Sequence, residues 1–380
     1  MKKMGGVAAA IALVMAVFFV PMLSTKKEAW RPGTPLAKER MQIGVIYMAD
    51  DMSKMNGYAY AHECGIKAVQ EAIGLRDDQI FRRLGVSDAD PDATAYAMRE
   101  CIVKGANIII ATSEGYAAVC KKLAAEYPNV VFAQLYADAR NGANLTNYFG
   151  RVYQAWYLSG IIAGLRTATN KIGYVAARGK NNNQITCGIN AFALGVESVN
   201  RNAAILVKVT HRWFYQAGEF EAARSLIDGG CDVIAQYSGT PGPQLAARAA
   251  GVWGIGYNHD GDIMHNAEHL ITSVARNWSV YYLRLVQSVI DGAFTTEPYF
   301  GGLKEGVIDL APFNERLLPA GAAEAVGAAR KNIESGTFDV FEGAMETNDG
   351  RIIGTEGHRL SDTEILRGMH WYYHNIVEAQ

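Results

Sequence analysis

Short apolar runs able to bury both faces of a strand, each followed by an amphipathic helical stretch, recur along this chain in two successive series. That alternation leaves few folds open. Residues 43–48 (IGVIYM) read as a buried strand, and 58–74 carry apolar residues at helical spacing before a terminal glycine. A strand over 80–86, a helix over 91–105, a strand at 107–112 (NIIIAT), a helix over 115–127 and a strand at 130–135 complete the first series. The rhythm restarts at Lys171 with IGYVAA, a helix near 190–200, AILVKV, a helix over 219–228, DVIAQY, a helix over 244–250 and GVWGIGY. Strands apolar on both sides belong to parallel sheets covered by helices, so an α/β chain of two doubly wound parallel-sheet lobes around a central cleft is expected. The segments are assigned as 42–165 for lobe 1 and 166–275 for lobe 2, with 276–380 as a crossover helix, near 280–291, and C-terminal elements completing both lobes. With 380 residues there is enough chain for two such units.

The first 29 residues read differently. Met1-Lys2-Lys3 is followed by a charge-free stretch, 5–23, and then Lys26 and Lys27. That layout fits a cleaved signal peptide or an uncleaved N-terminal membrane anchor, and both place the rest of the chain in the periplasm or otherwise outside the cytoplasm. Residues 30–41, with two prolines, form a tether. Lys and Arg total 36 against 38 for Asp and Glu, a net charge of −2, which argues against a nucleic-acid partner. Five scattered cysteines give neither a disulfide scaffold nor a CxxC pair, and their pairing stays open.

In open parallel sheets, ligands sit beyond the carboxyl ends of the strands, so the residues after each strand are the informative ones. These are Asp50, Asp51 and Tyr58 after the first strand, Ser113 to Tyr116 after NIIIAT, and Gln134 to Tyr136 after the fourth. In the second series they are Arg178 to Asn183, His211 to Tyr215, Ser238 to Pro243 and Asn258 to Asp262. Aromatic rings recur there beside amides and carboxylates, a combination suited to a flat heterocycle or a sugar. Trp213 and Phe214, in a run of three aromatics directly after a strand, are the hardest of these rings to bury. Competing motifs are weaker. His265 to His269 spells H-x-x-E-H but runs into β-favouring residues, where two histidines cannot share a metal as they do on a helix. The loop at 178–181 lacks the residues of a P-loop, and no G-x-S-x-G is present. The Gly160 to Gly164 pair suits close helix packing within a lobe.

Several segments carry a family resemblance: GYAYAHECGIKAV (57–69), ANIIIATSEGY (106–116), NYFGRVYQAWYLSGIIAGL (147–165), KIGYVAA (171–177), GINAFALGVESVN (188–200), GGCDVIAQYSGTP (229–241) and GIGYNHDGD (254–262). Together they resemble the basic membrane protein (BMP) family of ABC-importer substrate-binding proteins, the purine-nucleoside-binding group. The resemblance implies a type I periplasmic-binding-protein fold, no catalytic residues, no cofactor and no metal. It also implies a monomer that takes a purine-like small molecule and meets an ABC permease in the inner membrane. A purine ring stacked between an aromatic of each lobe would here meet Tyr58 and Trp213. Asn190 matches the asparagine of N-A-F-A-x-G, Asp260 the second acid of G-x-D-x-D, and Arg276 falls near a lysine position. Asp51, Ser113, Gln134, Phe214 and Asn258 complete the expected ligand-binding set.

The sequence also departs from the family. Asn258 replaces the first acid of G-x-D-x-D, Tyr215 and Gly239 stand where aspartates are expected, and the lipobox cysteine is missing. Losing carboxylates while keeping rings favours a flat base over a full ribonucleoside, or another flat ligand. A periplasmic ligand-sensing receptor with the same cleft is the alternative. A third reading is a cleft hydrolase using Asp50, Asp51 or His265 and His269.

Overall fold

The computed structural model describes residues 30–51, 57–136, 138–258 and 268–379. Its first sheet contains β1 (Ile43–Ile46), β2 (Ile80–Arg83), β3 (Ile108–Ala111), β4 (Val131–Leu135), β5 (Leu145–Gly150) and β11 (Tyr299–Gly301), in the order β11-β5-β4-β3-β1-β2. Every pairing in it is parallel. β1 and β3 are buried along their whole length, which is why they appear in the sequence as unbroken apolar runs. Helices α1 (Gly57–Ile73), α2 (Pro91–Val103) and α3 (Ala117–Glu126) accompany it. α2 begins where it does because the Asp90 side chain accepts from the backbone N–H groups of Asp92 and Ala93, with proline in the first turn.

The second sheet has the order β12-β10-β9-β8-β6-β7-β15. It is built from β6 (Lys171–Ala176), β7 (Ala204–Val209), β8 (Val233–Tyr237), β9 (Trp253–Tyr257), β10 (Leu270–Arg276), β12 (Ile308–Leu310) and β15 (Ile376–Glu378). Only β10 and β12 pair antiparallel in it. Chain order and sheet order together make the chain cross between the sheets at β5 to β6, β10 to β11 and β11 to β12. Such multiple crossings tie two lobes together while leaving a gap between the strand ends. The result is a pair of α/β lobes, as the alternation implied, of the type I periplasmic-binding-protein kind that the family resemblance implied.

Two local differences from the sequence reading have clear causes. α5 (Asn183–Val199) starts well before residue 190, because the Asn182 side chain caps it by accepting from the Ile185 N–H. β5 escapes a pattern search because Thr146 and Asn147 interrupt its apolar run. The helix that follows it, α4 (Val152–Arg166), packs on α5 through glycines. A Cβ at Gly160 would run into the Phe192 carbonyl oxygen, and one at Gly195 into that of Tyr157. The Gly160 to Gly164 pair therefore serves a helix crossing inside the globule.

After α6 (Gln216–Asp228), α7 (Gly242–Ala250) and the crossover helix α8 (Ser279–Ile290), the chain forms α9 (Ala322–Ser335) and the small hairpin β13 (Met345–Glu346) with β14 (Ile352–Ile353). It ends in α10 (Asp362–Arg367) and β15. α10 is begun by a reciprocal capping box between Ser361 and Glu364. Among the described residues no helix is long and apolar enough to cross a membrane. Residues 1–29, to which the leader or anchor was assigned, lie outside the described residues. Among the described residues, which include all five cysteines, no disulfide is formed.

Candidate functional site

The strand ends of the two sheets face one another across a cavity of about 470 Å³. Met48, Tyr58, Asp88, Ser113, Glu114 and Leu135 line it from the first lobe, and Asn182, Gln184, Trp213, Phe214, Tyr257 and Asn258 from the second. The lobes meet closely beside it: a Cβ on Gly57, at the start of α1, would lie 3.8 Å from the Asn258 carbonyl oxygen. Gly57 has φ +54, a conformation that glycine adopts without a side-chain penalty. A side chamber of about 490 Å³ shares Met48, Tyr58, Asp88 and Phe214 with the cavity and adds Asp50 and Ser87.

Tyr58 is held from both sides. Its hydroxyl donates to the Thr112 carbonyl at 2.6 Å, and its ring meets the edge of His62 at 4.7 Å. His62 in turn stacks on Trp278 at 4.9 Å and shares a hydrogen bond with the Tyr282 hydroxyl. Burial drives the His62 pKa well below its usual value and raises that of Tyr58, so both are neutral at physiological pH. Opposite, Trp213 packs edge-on against Tyr237 at 6.1 Å, and Tyr237 lies 4.4 Å from Tyr257. Phe214 is 59% exposed, so it belongs to the mouth rather than the floor.

Polar groups are distributed unequally. On the first-lobe side the Ser113 hydroxyl donates to Asp88 at 2.5 Å. Burial, with Asp88 nearby, raises the Glu114 pKa. On the second-lobe side Glu219 is fully buried and accepts from the Ser238 and Thr240 hydroxyls, each at 2.7 Å, which fixes the loop behind Trp213. Arg276, only 6% exposed, donates to the Tyr237 hydroxyl at 3.1 Å, to Asn258 Oδ1 at 3.2 Å and to the Tyr257 hydroxyl. Its guanidinium also sits 5.7 Å over the Phe149 ring of the first lobe.

The structure thus gathers Tyr58, Ser113, Trp213, Phe214 and Asn258 around one gap, with Arg276 directly behind Asn258. Two expected members stand elsewhere. Gln134 is fully buried and donates to the carbonyls of Ser113 and Leu135, so it shapes the β4 end from within. Asn190 is fully buried too: it donates to the Trp371 carbonyl and accepts from the Tyr373 N–H, tying the C-terminal segment to α5. An amide that satisfies buried backbone groups has no reach left for a ligand. Asp51 is partly buried, and it is its neighbour Asp50 that lines the side chamber. Asp260 lies outside the described residues, as does His265; His269 is buried, with a pKa lowered by burial. Among the described residues no group of three His, Cys, Asp or Glu side chains is placed to hold a metal.

Asp88, Glu114, Gln184 and Tyr257 are additional lining residues. Asp88 was findable, because it follows β2 as the other candidates follow their strands. Tyr257 was hidden inside an apolar run.

Two lobes closing over a ring-lined gap define a receptor for a small molecule, built on the binding-protein plan. The chain belongs to the family of ABC transporter substrate-binding proteins that are PnrA-like, whose model matches residues 91–333. Such proteins work outside the cytoplasm and pass a small-molecule ligand to a membrane permease. It is 27% identical over 340 residues to a purine-binding protein of Brucella abortus, covering 90% of this chain and 94% of that one. It is 30% identical over 314 residues to a Haloferax volcanii protein named as a putative ABC-transporter glucose-binding protein, covering 82% and 77%. An ABC-transporter solute-binding protein from Conexibacter woesei has the same fold, with a TM-score of 0.65 at 21% identity over 79% of this chain and 98% of that one.

Proposed function

We propose that this substrate-binding protein captures a purine base or nucleoside as a monomer and delivers it to its permease. One observation carries the reading: Tyr58 and Trp213, from opposite lobes, line the same cavity. Rings on facing walls hold a planar heterocycle by stacking, and base-on-aromatic stacking contributes about 1–3 kcal/mol per base. The cavity of about 470 Å³ lies within the span of roughly 300–1,000 Å³ usual for small-molecule sites. The purine-binding relative from Brucella supports the same ligand class.

A sugar is the second reading, favoured by the name of the Haloferax relative and by the amides of Asn182 and Gln184 in the wall. Calorimetry of the purified protein against adenine, guanine, xanthine, their nucleosides and glucose separates the two. Micromolar or tighter binding of a purine is the expected result. Binding of glucose alone would overturn the purine reading.

A further inference from the structure

Asn258 has two ends, and the fold has used only one of them. Its Oδ1 accepts from Arg276 Nη1 at 3.2 Å. A guanidinium has donors and no acceptor, so it can face only the oxygen of an amide, and the side chain is locked in one orientation. The other end, Nδ2, is buried and has no hydrogen-bond partner among the described residues, and Asn258, only 6% exposed, lines the cavity. A buried donor left unsatisfied is costly, and native structures keep few of them. Arg276 is itself held by Tyr237 and Tyr257, which share its buried surroundings, so the lock does not depend on a mobile surface group.

Extending the proposed purine reading, we infer that Asn258, locked by Arg276, is a specificity-determining donor. It selects a ligand that places a hydrogen-bond acceptor, a ring nitrogen or a carbonyl oxygen, against the second-lobe wall. The first-lobe wall complements it, since Glu114 and Asp88 offer carboxylate acceptors there. A ligand satisfying both walls has an acceptor on one edge and N–H donors on the other, as an oxopurine does. A sugar hydroxyl both donates and accepts, and would be indifferent to which end of the amide it met. Arg276 acts as a positioning residue. It fixes the amide without lining the cavity.

The test is Asn258→Asp, read by calorimetry and by thermal melting of the same protein. Aspartate keeps the shape but turns the free donor into an acceptor, while gaining a charged partner in Arg276. The expected outcome is a split: melting temperature unchanged or raised, and affinity for a purine base reduced about ten- to a hundredfold, as for loss of one buried hydrogen bond to a ligand. Purine-base affinity retained in Asn258→Asp overturns the inference. Arg276→Met should free the amide to rotate, so that adding Asn258→Asp to it costs less affinity than Asn258→Asp does alone. An equal cost in both backgrounds would remove Arg276 from the argument. If the wild-type protein binds glucose and no purine, the purine reading fails separately. The contact is then read with Asn258→Leu, which removes both ends of the amide: weaker glucose binding would still support a role for Asn258 at the ligand, and undiminished binding would end it.

Discussion

The ring-lined cavity and a second gap between the lobes differ in what lines them. The cavity is walled by rings and by polar groups that include Asn258, whose Nδ2 has no partner among the described residues. The second gap, about 650 Å³, begins beyond Glu114 and Asn182, which line both. Among the charged side chains that line it, Asp362 pairs with Arg151 at 2.8 Å and Arg367 with Asp138 at 2.8 Å. The Tyr136 hydroxyl also donates to the Leu366 carbonyl at 2.9 Å. α10 and its flanks belong to a C-terminal segment fixed to the second lobe by Asn190 and by β15, so these three bonds cross to the first lobe. The first gap is bordered mainly by rings, whereas the second is bridged by ion pairs that hold the lobes together, although Asn147, Asn183 and Tyr299 along it also keep buried polar atoms without partners.

Substitutions can break this contrast. The largest effect is expected from Trp213→Ala, which removes one stacking wall: purine affinity should fall about a hundredfold, the upper end of what one stacked base supplies. The ring is only partly buried at the edge of the core, so the melting temperature should move less than the affinity, and calorimetry beside a melt checks both. A loss of folding without a change in binding would place Trp213 in the scaffold instead.

The next effect sharpens what lies beneath the ring wall. His62 is buried neutral against Tyr58 and Trp278, with its pKa pushed well below the unfolded value of about 6.5. Above that pH neither state binds the proton. As pH falls below it, the unfolded chain takes up a proton that the folded chain refuses, so stability drops, with a slope approaching about 1.4 kcal/mol per pH unit. His62→Gln should flatten part of the decline in melting temperature between pH 7 and 5. The buried His269 should leave a remainder. An identical slope in the variant would clear His62.

The smallest effect is expected in the other gap. Asp362→Asn with Arg367→Gln removes both ion pairs, in which every side chain but that of Arg151 is about half exposed, and such solvent-accessible pairs contribute about 0.2–1 kcal/mol each. Ligand affinity should weaken about threefold at low salt through easier opening of the lobes, and the difference should shrink at high salt. Titrations at two ionic strengths decide it. A larger loss than that of Trp213→Ala would invert the assignment of the two gaps.

Much of this was legible beforehand for a definite reason. A parallel strand covered on both faces must be apolar throughout, so β1, β3 and β8 announce themselves. The winding then puts the residues after each strand at the gap, which located Tyr58, Ser113, Trp213, Phe214 and Asn258. That rule also named Gln134, as the family resemblance named Asn190, and both stand outside the cavity, hydrogen-bonded to buried backbone groups. An amide hydrogen-bonds equally well to a ligand or to a buried carbonyl, and nothing in the one-dimensional pattern says which it meets.

From the sequence alone came the two-lobed architecture and the rings at the strand ends, because hydrophobic periodicity and chain order are local properties. Tertiary structure alone decided which way each polar atom faces. Arg276 lies eighteen residues beyond Asn258, on the neighbouring strand, and only folding sets the guanidinium against Oδ1 and leaves Nδ2 without a partner among the described residues. Hydrogen-bond polarity depends on who stands beside whom, and residues distant along the chain become neighbours only when the sheets are assembled.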